Sequence, residues 1–141
     1  GLTFRIHGPE NAHSKTDVMI QVVEDGVMFL GDNVTYGRLA RMDDGTFLGN
    51  IDACQVAIDS GAKIFVPGHG PTAGVEVPTS FKTYLETVYQ SVEVLLDEDL
   101  QAFEMKPLIL EKVRDYESWV DFDINFGKHI SLAVLEVERN F

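Results

Sequence analysis

Two short apolar runs in this chain stop at glycine turns that carry a metal-competent side chain. Val27 to Leu30 runs into Gly31-Asp32-Asn33, and Lys63 to Val66 runs into Pro67-Gly68-His69-Gly70-Pro71. A strand that ends this sharply presents the intervening Asp or His outward, because glycine accepts backbone angles that a Cβ forbids. A third segment, Ala12-His13-Ser14-Lys15-Thr16-Asp17, places a histidine just ahead of a Val-, Met- and Ile-rich run that ends at Val23. Neutral imidazole and carboxylate are ligands that suit zinc, and also iron or manganese. Taken one at a time these signals are weak, since a lone histidine is more often a surface or core residue. A Gly-Asp after a strand is more often a plain turn. The order and spacing of all three together carry more weight than any one of them.

The intervening pattern predicts one layered α/β unit. Thr3 to His7 is a β-prone run closed by Gly8-Pro9, and Glu24-Asp25-Gly26 makes a hairpin of the runs on either side. Phe47, Ile51, Cys54 and Ile58 share a helical face that stops at Ser60-Gly61. A long helix is predicted after Pro78-Thr79-Ser80, where Phe81, Tyr84, Leu85, Val88 and Val92 trace one face. Two further helices are expected, from about Leu108 to Trp119 and from about Phe126 to Glu138. Four strands are few for so much apolar helix surface, so the sheet is expected to need strands from elsewhere.

With 45% hydrophobic and 24% charged residues in 141, the composition is that of a globular domain rather than a disordered segment. A net charge of −12 argues against nucleic acid and anionic membranes as partners, because both repel an acidic chain. No apolar run approaches the roughly 20 residues needed to cross a bilayer. The single cysteine, Cys54, cannot close an internal disulfide, which favours a cytoplasmic location. Its place on an apolar helix face reads as a small buried hydrophobe. Asp97-Glu98-Asp99 reads as a solvated helix end.

The series His-Ser-x-x-Asp, then strand, turn and strand ending in Gly-Asp-Asn, then helix and strand ending in Val-Pro-Gly-His-Gly, resembles the third, fourth and fifth metal motifs of the metallo-β-lactamase superfamily. The resemblance covers about Phe4 to Tyr89 in detail and the later helices loosely. It implies an α/β fold in which residues 1–141 form the C-terminal half of a four-layer αβ/βα sandwich, a partial domain whose C-terminal helices begin at about residue 79. It implies that His13 serves one metal, that Asp32 bridges two and is the residue catalysis depends on, and that His69 serves the second. Two zinc ions are implied for the complete domain, with iron or manganese as alternatives. Asp17 would orient His13 through its second ring N–H, or equally is a surface residue that opens the following strand. Ser14, Asn33 and Tyr36 are candidates for the substrate opening.

The family's first motif, His-x-His-x-Asp-His, has no counterpart here: His7 lacks a partner and His129 falls in a late helix. The chain alone is therefore expected to bind little or no metal and to be inactive. Its sheet is expected to be covered either by the missing N-terminal half or by another copy, as a homo-oligomer. The resemblance also bears on the substrate. Zinc β-lactamases usually carry cysteine or serine where Asp32 stands, which disfavours lactams. The 36 residues between Asp32 and His69 leave no room for the domain that the superfamily's nucleases insert there. A small-molecule ester, thioester or lactone remains. The rival readings are a non-catalytic, self-associating half-domain and a di-iron redox relative of the same fold.

Overall fold

The computed structural model describes residues 1–140 of the chain. Strands β1 (Phe4–His7), β2 (Met19–Val22), β3 (Val27–Gly31) and β4 (Ile64–Pro67) form one sheet in the order β1-β2-β3-β4. The first three are antiparallel neighbours, whereas β3 and β4 run parallel. A parallel pair needs a crossover, and helix α1 (Phe47–Asp59) supplies it. Three orphan amides at its start are satisfied. The Thr46 hydroxyl accepts from Gly49 N at 3.0 Å, and the Glu136 carboxylate accepts from Phe47 N at 2.7 Å and Leu48 N at 3.1 Å.

Helices α2 (Glu76–Asp97), α3 (Ala102–Lys112) and α4 (Phe122–Arg139) follow. Two boundaries depart from the sequence pattern. Helix α2 begins ahead of Pro78, which lies in the first turn, where proline has no intrahelical bond to lose. Helix α3 starts six residues before the expected Leu108, because Gln101 and Glu104 close a capping box. Its sequence then carries Pro107 inside the helix, and past Lys112 the chain tightens into a 3₁₀ turn at Arg114–Tyr116 instead of continuing to Trp119. Among the described residues no helix is long and apolar enough to cross a membrane.

One sheet face is core. Met19, Met28, Leu30 and Phe65 are buried in a single cluster with Phe47 and Cys54 of α1 and Phe81 and Tyr84 of α2. Burial pushes the Cys54 thiol well above its ordinary range, so it stays protonated and inert. The opposite face is unlike the polar outer side of an ordinary antiparallel sheet. The strand registers put Phe4, Val22, Val27 and Ile64 in one row and Ile6, Ile20, Phe29 and Val66 in the next. Every member is apolar, and Phe4, Ile6 and Phe29 are 60%, 71% and 47% exposed.

His129, on α4, is a core residue and not part of a metal site. Its Nε2–H donates to the Ala40 carbonyl at 2.8 Å, and its Nδ1 accepts from the Tyr84 hydroxyl at 2.9 Å. A carbonyl can only accept, so this arrangement selects the neutral tautomer with the proton on Nε2. Burial pushes its pKa down to about 4 from the ordinary 6.5, against smaller opposing effects of the Ala40 bond and Asp43. The unfolded chain therefore takes up this proton first as pH falls. The stability due to neutral His129 is complete above about pH 6.5 and is lost progressively towards pH 4, by on the order of 3 kcal/mol. Denaturant unfolding across that window is expected to show this loss, and His129→Gln to flatten the slope; an unchanged slope in the variant counts against the assignment.

Candidate metal centre

Sheet topology brings the three candidate ligands to one place. Because β4 is parallel to β3, the end of β4 lies beside the end of β3. Because β2 is antiparallel to β3, the loop that enters β2 lies at that same end. Asp32 follows β3, His69 follows β4, and His13 lies in the loop before β2. In open α/β sheets the carboxyl ends of parallel strands are where sites form.

Backbone contacts hold the three turns together. Gly68 N donates to the Gly31 carbonyl at 2.8 Å, and Tyr36 N donates to the His69 carbonyl at 3.0 Å. Two glycines are required by space. A Cβ at Gly68 would collide with the Asp32 carboxylate and the Gly31 carbonyl, and a Cβ at Gly70, where φ is +103°, would fall on the Tyr36 carbonyl. The His13 loop is strapped from both sides. Asn50 donates to the Ala12 carbonyl at 2.7 Å. Fully buried Asn33 donates to Leu30 O at 3.2 Å and accepts from His13 N at 3.3 Å.

Asp32 stands between the two histidines. His69 Nε2 is 3.4 Å from one carboxylate oxygen and His13 Nε2 is 4.0 Å from the other. All three side chains are partly exposed, at 27% for His13, 42% for Asp32 and 49% for His69. Two ligands on one tetrahedral zinc with bonds of roughly 2 Å lie about 3.3 Å apart. The Asp32–His69 pair matches that separation, and the Asp32–His13 pair is somewhat wide of it. The donor types suit a zinc-type ion, and the Asp32–His69 separation suits two donors to one such ion. Among the described residues, no three His, Cys, Asp or Glu side chains are grouped to hold a metal.

The other sequence candidates fall differently. No hydrogen bond joins Asp17 to His13. Asp17 N donates to the Ser14 hydroxyl at 3.2 Å, and its buried Oδ2 has no partner among the described residues. Ser14 thus serves the local turn. Asn33 is a buried brace rather than part of the opening. His7 borders a separate recess with Glu10 and Asp52.

A cavity of about 340 Å³ opens over the three candidate ligands. Its wall is completed by Arg38, Arg41, Asp43, Asp44, Asp121 and Asn125, none of which the sequence pattern singled out. Arg38 and Asp121 are 83 positions apart and meet at 2.9 Å. Asp121 adopts a left-handed φ of +63°. Neither the contact nor that angle leaves a local trace in the sequence.

No family model and no curated protein matches this chain. Solved structures do. A metallo-β-lactamase from Pontibacter korlensis superposes with a TM-score of 0.56 at 21% identity, over 61% of this chain and 42% of its own. The fold is that of the metallo-β-lactamases. The mono-zinc form of such an enzyme from Pseudomonas aeruginosa matches with a TM-score of 0.54 at 23% identity, over 59% of this chain and 39% of its own. One from Erythrobacter litoralis matches at 0.53 and 19% identity, over 59% and 39%. The chain thus spans about two fifths of the length of these metallo-β-lactamases, and identities this low bear on fold alone.

Gly70→Ala tests the turn that presents His69. It is expected to cost about 1–3 kcal/mol from backbone strain alone, plus the collision with the Tyr36 carbonyl, in denaturant unfolding. Wild-type stability in this variant would show that the turn does not need glycine.

Proposed function

We propose that this chain contributes His13, Asp32 and His69 to the metal centre of a hydrolase with the metallo-β-lactamase fold, acting on a small ester, thioester, lactone or similar acyl compound. The observation that carries the reading is the Asp32 carboxylate, placed at a turn between two parallel strand ends with an imidazole beside each oxygen. Asp32 would bridge two zinc ions, His13 would hold one and His69 the other. The chemistry such ions supply is activation of water and polarisation of the scissile carbonyl.

The chain's own residues set the geometry for it. The Gly31–Gly68 contact fixes where the Asp32 carboxylate stands relative to His69, and Asn33 and Asn50 fix the height of the His13 loop. Partial exposure of all three side chains leaves them open to the cavity in which a small substrate would lie. The remaining ligands, and the cover for the apolar sheet face, would come from another polypeptide segment: residues N-terminal to these in a longer protein, or a second copy of the chain. Each supplies the layer that an exposed apolar face of this kind requires.

Two measurements test this. Residues 1–141 alone are expected to bind zinc far more weakly than the roughly 10–16 kcal/mol of a complete structural set; tight stoichiometric binding of two zinc ions by calorimetry would refute the shared-half arrangement. In a protein that contains this segment together with the remaining ligands, Asp32→Ala is expected to reduce metal-dependent hydrolysis of an activated ester or thioester to background. Cys54→Ala, a change confined to the core, is expected to keep it. Full activity in the Asp32 variant would place the chemistry on other residues.

A further inference from the structure

Asp32 and His69 are held by the sheet, whereas the loop that carries His13 is docked on a helix. Asp32 and His69 follow two paired strands, and the backbone bond from Gly68 N to the Gly31 carbonyl closes their turns on each other. The backbone just ahead of His13 rests on the first turn of the crossover helix α1. Thr46 N donates to the Asn11 carbonyl at 3.0 Å and to the Ala12 carbonyl at 3.1 Å. The Thr46 hydroxyl donates to the Asn11 carbonyl at 2.7 Å. Asn50 is 1% exposed, and its Nδ2 donates to two carbonyls, that of Ala12 at 2.7 Å and that of Thr46 at 2.6 Å.

The fit between loop and helix is closer than side chains allow. A Cβ at Gly45 would collide with the Ala12 carbonyl, and one at Gly49 with the Asn11 carbonyl. Gly49 lies in the first turn of α1, and glycine is a poorer helix former than alanine. The close approach of the loop backbone explains why it stands there. Asn11 takes a left-handed φ of +50°, a conformation that persists where the surroundings fix it, and Ala12 is fully buried. The helix end is itself locked from behind. Glu136 of α4 accepts from Phe47 N and Leu48 N, and the Thr46 hydroxyl accepts from Gly49 N, so the first amides of α1 are satisfied without displacing the loop. The series Gly45-Thr46-x-x-Gly49-Asn50 therefore acts as one unit, and nothing in its local pattern announces what it holds.

We propose that Gly45, Thr46, Gly49 and Asn50 form a cradle for the backbone of residues 11–12, with Asn50 the positioning residue that sets how tightly the ion served by His13 is held, independently of the Asp32–His69 pair. The proposal rests on the metal-centre reading above and goes beyond it, because it gives the two ions separate anchors: the β3–β4 pairing for one and the first turn of α1 for the other. Asn50 acts through Ala12, whose peptide leads directly into His13. A tilt of that peptide turns the Cα–Cβ bond of His13 and carries its ring nitrogens with it. Removing a group that orients a metal ligand commonly changes metal affinity by about 10–100-fold.

The test uses the protein that contains this segment together with the remaining ligands. Its affinities for two zinc ions are read by stepwise chelator competition, and the imidazole signals of His13 and His69 are followed by NMR in the metal-free form. Asn50→Leu keeps a branched side chain and removes both donors, and Gly49→Ala improves the helix while crowding the loop. Each is expected to weaken one zinc about tenfold or more, to leave the other within about twofold, and to move the His13 signals but not those of His69. Cys54→Ala, buried on the same helix, is expected to leave both affinities within about twofold, which separates positioning from a general loss of stability. Parallel weakening of both ions, or no loss beyond about twofold, in either variant that folds overturns the proposal. Because alanine favours the helix, Gly49→Ala decides the matter even where Asn50→Leu fails to fold. A parent protein that binds zinc yet hydrolyses neither an activated ester nor a thioester defeats the hydrolase reading instead and leaves the cradle to the zinc affinities; a parent that binds no zinc overturns both.

Discussion

The parallel pairing of β3 with β4 is the constraint on which the site depends. It aligns two strand ends that are far apart in the chain, and the 2.8 Å bond from Gly68 N to the Gly31 carbonyl closes them against each other. The space left by the missing Cβ at Gly68 is occupied by the Asp32 carboxylate. Had the crossover helix α1 been replaced by a tight turn, β3 and β4 would have been antiparallel, and Asp32 and His69 would have stood at opposite ends of the sheet.

The N-terminal end of helix α4 borders that site. Glu136 caps the first turn of α1, His129 and Asn125 hold the carbonyls of Ala40 and Leu39, and Asp121, just ahead of the helix, grips Arg38. These polar groups sit among buried Phe126, Ile130, Ala133 and Val137. A buried polar group is tolerable when its partners are fixed, and costly when they are lost. The same bonds that satisfy α4 therefore lock residues 38–40 into the cavity wall, so packing of the C-terminal helix and shape of the cavity are one problem.

The two faces of the sheet behave differently for a related reason. The inner face is sealed by α1 and α2, with Phe65 and Met28 fully buried. The outer face carries two complete rows of apolar side chains, which is the surface of a layer meant to meet another layer. The solved metallo-β-lactamases that match this chain are longer than it, and it spans about two fifths of each.

Where the governing interactions are local, the amino-acid sequence alone was enough. That Asp32 and His69 stand at strand ends was legible because glycines mark such turns whatever the tertiary context, whereas His13 lies in the loop ahead of β2 with no adjacent glycine to mark it. The four strands, the crossover helix and the neutral reading of Cys54 follow from short-range periodicity. The early start of α3 was missed: a capping box between Gln101 and Glu104 sets it, and the helix runs on through Pro107. Only the tertiary structure decided the cavity wall. Arg38 and Asp121 meet across 83 positions, Asp121 takes a backbone angle that no local pattern announces, and Asn33 turns inward as a brace instead of lining the opening. The first two follow from how α4 packs against the 35–40 segment, and the third from the docking of the His13 loop on the end of β3; long-range packing of that kind is set by the whole core at once rather than by any stretch of residues within it.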